Sequence, residues 1–148
     1  MPSNTSLKDS AKIPIRFNQD LARFVGMIHG DGNMSFNRIH ITDKCKIYHQ
    51  QVIHPLFKKL FGISMNLYHD KKRNSYYSHK KNKRIYNYLT QQLQIPKGSV
   101  RKGLFIPNYL RKSTIKEKSA YIGGLFDAEG YVSNRQAEIM IATTCEEL

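Results

Sequence analysis

Asp31 and Glu129 stand at matching places in a sequence otherwise rich in bases. Each is preceded by a stretch with helical spacing and followed at once by glycine, Gly32 or Gly130. A carboxylate there faces the negative end of the helix macrodipole, a placement that costs about 0.3–1 kcal/mol. One acid so placed means little, whereas two at equivalent positions ask for a cation. Mg2+ or Mn2+ answers that need, since these hard ions take one or two carboxylates together with phosphate and water oxygens. The helix-end carbonyls of Gly30 and Ala128 would supply further oxygen ligands.

The elements that must position the acids can be read from spacing. Leu21, Phe24, Val25 and Ile28 line one face of a helix starting near Asp20, with Asn18 or Asp20 as cap. Ser113–Ala128 repeats the spacing. Gly26 and Gly30 share one face of the first helix, and Gly124 and Ala128 occupy the matching places of the second. Small residues there let two backbones approach, so the helices should pack side by side and end together, with Asp31 beside Glu129.

The repeat runs further than the helices. Phe24-Val-Gly-Met-Ile-His-Gly-Asp-Gly32 aligns with Ile122-Gly-Gly-Leu-Phe-Asp-Ala-Glu-Gly130, and Ile41-Thr-Asp-Lys-Cys45 with Ile141-Ala-Thr-Thr-Cys145. The drift between the two alignments calls for two extra residues in the second copy's hairpin. Between the copies, residues 33–43 alternate as a strand or short hairpin. A helix follows over 44–61, kinked or restarted at Pro55. Ser64–His69 and Asn74–His79 form a hairpin around Asp70–Arg73, a helix covers 80–93, and 95–110 is loop. Thr144-Cys-Glu-Glu147 fits a capping box that opens a helix. The expected organisation is a polar tail over 1–16, a first half over 17–112, and an incomplete second half over 113–148. Such a half-built copy would require a completing second segment or a homodimer partner, or would be an inert truncated product.

Charge points to a polyanion. The chain has 24 Lys+Arg against 11 Asp+Glu, a net charge of +13. Residues 113–148 are net acidic, so the basic excess lies in the first part. Lys71, Lys72, Arg73, Lys80, Lys81, Lys83 and Arg84 interleave with Tyr68, Asn74, Tyr76 and Tyr77, a mixture that suits nucleic acid better than a membrane surface. Lysines and arginines would neutralise phosphates. Strand parity sends Ile39, Ile41, Met65 and Leu67 toward the helices, leaving Arg38, His40, Asn66 and Tyr68 to reach base edges. The two cysteines, Cys45 and Cys145, form no CxxC pair and fit reduced thiols inside a cell. No apolar run is long enough to span a bilayer and no secretory signal is visible. Other chemistry finds no support. The Asp31-Gly-Asn-Met-Ser35 segment starts like a calcium loop, but Phe36 and Thr42 stand where glycine and glutamate are needed. The histidines lack zinc-ligand spacing.

The segments Phe24–Gly32 and, more closely, Ile122–Gly130 resemble the LAGLIDADG signature of homing endonucleases. The first departs at His29, where the pattern usually has an acid. The strand ending Ile-Thr-Asp-Lys44, the Pro-containing helix, the basic hairpin and the Ile95-Pro and Ile106-Pro segments extend the likeness. The resemblance implies an α+β fold, an αββαββα-like half whose saddle-shaped antiparallel sheet enters the DNA major groove, backed by helices, plus the start of a second, pseudo-symmetric half. It implies metal-dependent cleavage of both strands of duplex DNA in intron or intein homing, with Asp31 and Glu129 as the metal-binding acids. Lys44 matches the basic residue that supports active-site solvent, and its counterpart, Thr144, is not basic. A non-catalytic DNA-binding protein or an RNA-splicing maturase on the same fold is the alternative. An intracellular setting, cytoplasmic, nucleoid or organellar, goes with any of these.

Overall fold

A computed structural model describes residues 10–143. Helix α1 (Gln19–Asp31) is followed by the hairpin β1 (Gly32–Ser35) and β2 (Arg38–Asp43). A long helical segment then comprises α2 (Lys46–Tyr48), a π-helical turn (His49–Ile53) and α3 (His54–Phe61). Next come β3 (Asn66–Asp70), β4 (Ser75–Lys81), α4 (Lys83–Asn87) with a π-helical turn (Tyr88–Gln92), and β5 (Gly98–Ser99). A 3-10 turn (Val100–Gly103), α5 (Asn108–Arg111), α6 (Ile115–Glu129), β6 (Gly130–Ser133) and β7 (Glu138–Ile141) complete it. The first copy builds a five-stranded sheet in the order β3-β4-β2-β1-β5, and β6 and β7 form a separate two-stranded sheet. All pairings are antiparallel.

Helix α1 is the spine of the core. Asn18 caps it by accepting the Leu21 N–H at 2.9 Å, and Asp20 sits in its first turn instead. Leu21, Phe24, Val25 and Ile28 are buried as their spacing demands. Phe24 meets Phe57 and Phe61 of α3 at ring-centroid distances of 5.8 and 5.7 Å. Met34, Ile39 and Ile41 cover the same core from the sheet. Part of the expected loose tail is docked: Ala11 is buried and the Lys12 N–H donates to the Phe61 carbonyl at 3.0 Å, while Ile15 is exposed.

Several element boundaries differ from the sequence reading for local reasons. Pro55 lacks an N–H and crowds the carbonyl four residues earlier; the widened π-helical turn just before it takes up that misfit without breaking the helix. The helix expected from residue 80 starts later, because β4 continues to Lys81 and Asn82 caps α4 by accepting the Ile85 N–H at 3.0 Å. The 95–110 loop holds β5, which pairs with β1 through Asn33↔Ser99 and Met34↔Gly98. Helix α6 opens with a capping box between Thr114 and Glu117. The box expected at Thr144–Glu147 lies outside the described residues.

The two hairpins account for the drift in the repeat. Gly32↔Ile41 and Gly130↔Ile141 pair identically at the bases. The first hairpin turns on Phe36-Asn37 alone and the second on 134–137, two residues longer. Phe36 and Asn37 both have positive φ, 51° and 58°, the geometry of a type I′ turn that favours Asn and Gly. Phe36 is 89% exposed, so no packing offsets its strain. Phe36→Asn should therefore stabilise the protein by about 0.5–1 kcal/mol, read as a higher thermal midpoint.

Polar contacts fix the long helical segment onto the sheet. The His49 Nε2–H donates to the Asp43 carbonyl at 3.3 Å, which leaves Nδ1 to accept from the Ser78 hydroxyl at 2.7 Å. Ser78 Oγ in turn accepts from the His54 Nε2–H at 2.7 Å. Burial holds both imidazoles below the usual histidine range, so this neutral chain persists at pH 7. No helix among the described residues is long and apolar enough to cross a membrane.

Candidate active site and nucleic-acid face

The site is made by two helices that touch along their backbones. A Cβ added at Gly26 would run into the carbonyl oxygen of Tyr121, and one at Gly124 into that of Arg23. One turn further on, Gly30 lies against the Ala128 methyl. Only glycine permits this approach at the crossing, and it carries the two helix ends to the same place.

Both helices finish on their acid. Gly32 and Gly130 then leave in extended conformation, not the left-handed cap usual for a terminal glycine. Glycine is required there for space: a Cβ would strike the carbonyl of Ile28 in one case and of Phe126 in the other.

Asp31 and Glu129 meet where α1 and α6 converge. A Cβ on Gly30 would stand 3.2 Å from Glu129 Cγ. Burial pushes the Asp31 carboxyl up to about 7, Glu129 and then Asp43 push the same way, and Arg101 opposes them. Asp31, Thr42, Asp43, Lys44, Ser75 and Ala128 line one recess, so Lys44 stands on the Asp31 side. Glu129 is engaged by Arg101, whose Nη1 donates to Oε1 at 2.8 Å.

Two cross-helix contacts related by the repeat flank the acids. Arg23 of α1 pairs with Asp127 of α6 at 2.8 Å, and the Tyr48 hydroxyl donates to the same carboxylate at 3.2 Å. Burial, then the Asp127 charge, push the Tyr48 phenol up, which keeps it a donor. The repeat counterparts, Tyr121 and His29, share a hydrogen bond at 2.8 Å. His29 is buried and held down at about 4 by that burial, so it is neutral. Its Nε2 has no partner among the described residues.

The sheet's solvent side carries a different chemistry. Register places Asn33, Arg38, His40, Asn66, Tyr68, Tyr77, His79 and Lys81 on one face, opposite the helices. Tyr68 stacks on His79 at 4.9 Å and on Tyr77 at 5.5 Å. Strands lie about 4.7–4.9 Å apart, so rings stacked from strand to strand stand with their edges outward. Lys71, Lys72 and Arg73 form the exposed β3–β4 turn, where Asp70 Oδ1 accepts the N–H groups of Lys72 and Arg73 at 3.0 and 3.2 Å. Two expected nucleic-acid contacts need correcting. Tyr76 and Lys80 have the opposite parity, opposing Asp43 and Ile39 on the helix side, where Tyr76 stacks on His69 at 4.4 Å. Tyr77 and His79 take the outward places. Arg101 is a site residue that no local sequence pattern marks, because its partner Glu129 is 28 residues away in the chain.

A pair of abutting helices ending in acids, set behind an antiparallel sheet with a basic, aromatic face, defines the LAGLIDADG class of fold. A LAGLIDADG-like domain model matches residues 116–148. Solved structures of the homing endonuclease I-DmoI have the same fold. Its mesophilic variants match at TM-score 0.56 and 20% identity, covering 76% of this chain and 59% of theirs. I-DmoI in complex with DNA and Mn matches at 0.55 and 23%, covering 78% and 64%. The complex with DNA and Ca matches at 0.57 and 22%, covering 83% and 62%. The chain spans about three-fifths of the length of these structures. The second motif thus matches the LAGLIDADG-like domain, and the chain has the fold of these homing endonuclease structures.

Proposed function

We propose that this chain carries the metal site and one DNA-reading face of a site-specific endodeoxyribonuclease that uses Mg2+ or Mn2+. The observation that carries the reading is the acid pair: two carboxylates delivered to one place by matched helix ends, one of them disfavoured as an anion by burial and by its neighbour. The donor set fits such an ion. Two carboxylates and nearby helix-end carbonyls are hard oxygens, fewer than a closed cage uses, which leaves coordination sites for phosphate and water. Asp31 and Glu129 would hold the ion, with Gly30 and Ala128 contributing carbonyl oxygens. When bound, a divalent ion polarises the scissile phosphate and lowers the pKa of water. Lys44 would order solvent on the Asp31 side.

Duplex DNA is the substrate of this reading. Arg38, His40, Asn66 and Tyr68 would face base edges, while Lys71, Lys72, Arg73 and Lys81 neutralise phosphates. The I-DmoI structures solved with DNA and Mn or Ca support both partners. Thr144 at the place matching Lys44 favours a second reading, a DNA-binding protein that does not cut. Incubation with Mg2+ and a plasmid bearing the uninterrupted insertion site of the encoding element separates them. The nuclease reading expects nicked or linear product; intact plasmid under saturating protein leaves the binder. Both expect affinity to fall steeply with salt. Replacing Lys71, Lys72 and Arg73 together by Ala should flatten the log–log slope by about 2–3, and an unchanged slope would remove that turn from the interface.

A further inference from the structure

Glu129 cannot take up a cation without first dealing with one. Arg101 Nη1 lies 2.8 Å from Oε1, and the Glu129 side chain is 16% exposed against 55% for Arg101. The backbone under Arg101 is well fixed. Gly98 and Ser99 pair with β1, the strand that leaves Asp31, and Val100 is fully buried. Arg101 follows on a single 3-10 turn. An anchored backbone therefore presents a long, mostly solvated side chain to the acid pair, close enough to favour the ionised form of Asp31 as well.

A guanidinium does not give up its proton near neutral pH. A divalent ion on Glu129 and a guanidinium on the same oxygen would repel each other, so the arrival of one weakens the hold of the other. We propose that Arg101 is a charge placeholder, occupying Glu129 until a divalent cation displaces it and then engaging a DNA phosphate beside the acid pair. This rests on the nuclease reading for the cation and goes beyond it in assigning a base to the Glu129 side. The repeat gives that side only Thr144 where the Asp31 side has Lys44. A phosphodiester is the group that chemistry selects, since it comes with the metal and offers paired oxygens to a planar fork of donors.

Two measurements test the proposal without reading cleavage. Titration of Mn2+ against the DNA-free chain, followed by the EPR signal of unbound ion, should show Arg101→Gln binding about two- to five-fold tighter than wild type, the worth of a half-exposed ion pair. Arg101→Lys, which keeps a cation, should fall between them. Duplex affinity should then be followed against salt. With Ca2+ the wild-type slope should exceed that of Arg101→Gln by about 0.9, one phosphate contact, and in EDTA the slopes should coincide. Equal or weaker Mn2+ binding by Arg101→Gln, or slopes that differ equally in EDTA and Ca2+, overturns the placeholder alone. No Mn2+ bound by either protein overturns the metal reading along with it.

Discussion

Asp31→Asn and Glu129→Gln should each lower single-turnover DNA cleavage by at least about 10²–10³-fold, the scale for removing a preorganised electrostatic group. Each amide keeps the shape of its carboxyl and loses the charge that draws a divalent ion. Duplex affinity in Ca2+ should stay within a few-fold of wild type, because most of the proposed phosphate contacts lie on the sheet and its turn. Stability should move the opposite way for Asp31→Asn. In the metal-free protein the Asp31 carboxyl is raised from 3.8 to about 7 by burial, Glu129 and Asp43, so its anion is penalised in the folded state. At pH 8 that penalty is fully present, and the asparagine variant should melt higher by the equivalent of a few kcal/mol, discounted for partial solvent access. The gain should shrink as pH falls below 7 and vanish below 4, where the aspartate is protonated in both folded and unfolded chains. A variant that cuts at the wild-type rate, or melts lower in EDTA at pH 8, removes Asp31 from the role assigned to it.

Gly124→Ala should be the most disruptive single-methyl change in the molecule, with Gly26→Ala close behind. In an ordinary helix interior, glycine to alanine gains about 1 kcal/mol. Here the added carbon meets backbone, the Arg23 carbonyl for Gly124 and the Tyr121 carbonyl for Gly26, and a carbonyl cannot rotate away as a side chain can. Separating the helices loosens the buried Met27 and Leu125 at the seam, so a loss of about 3 kcal/mol or more is expected, at the upper end for overpacking. For a domain of ordinary stability that is a large share of the total. Gly123 supplies the control: nothing lies within 4 Å of its would-be Cβ, so Gly123→Ala should raise stability by up to about 1 kcal/mol. Denaturant melts of the three variants check this. A cooperative, wild-type-like Gly124→Ala would mean that the two helices do not pack as described.

The sequence displayed the scaffold better than its decoration. Helices α1 and α6 were legible because apolar spacing, glycine spacing and terminal acids all repeat. The hairpins were legible because alternation and turn residues coincide. Strand β5 was not: Gly98–Ser99 is too short for any period to register. It is strand β5 that delivers Arg101, so the ion pair that Glu129 makes among the described residues is hidden with it. The outward face was half legible. Parity fixed Arg38, His40, Asn66 and Tyr68, but the seven-residue β4 strand had to be registered against Asp43 before Tyr76 could be told from Tyr77. The two π-helical turns leave no mark in a hydrophobic pattern, since one wide turn shifts the period by less than a residue. Thr114-Ile-Lys-Glu117 fits the same capping-box pattern as the tetrad at 144–147, and it is the one that opens α6.

The unlike contacts across α1 and α6 bear on which surfaces will tolerate each other. A symmetric pairing of two α1 helices would set Arg23 against His29, a cation facing a desolvated imidazole with no carboxylate between them. Two α6 helices would set Tyr121 against Asp127 and leave that acid without its guanidinium. Only the α1–α6 combination satisfies both contacts. The divergence of the two copies at these positions thus favours the α1–α6 pairing over either helix packed on its own copy.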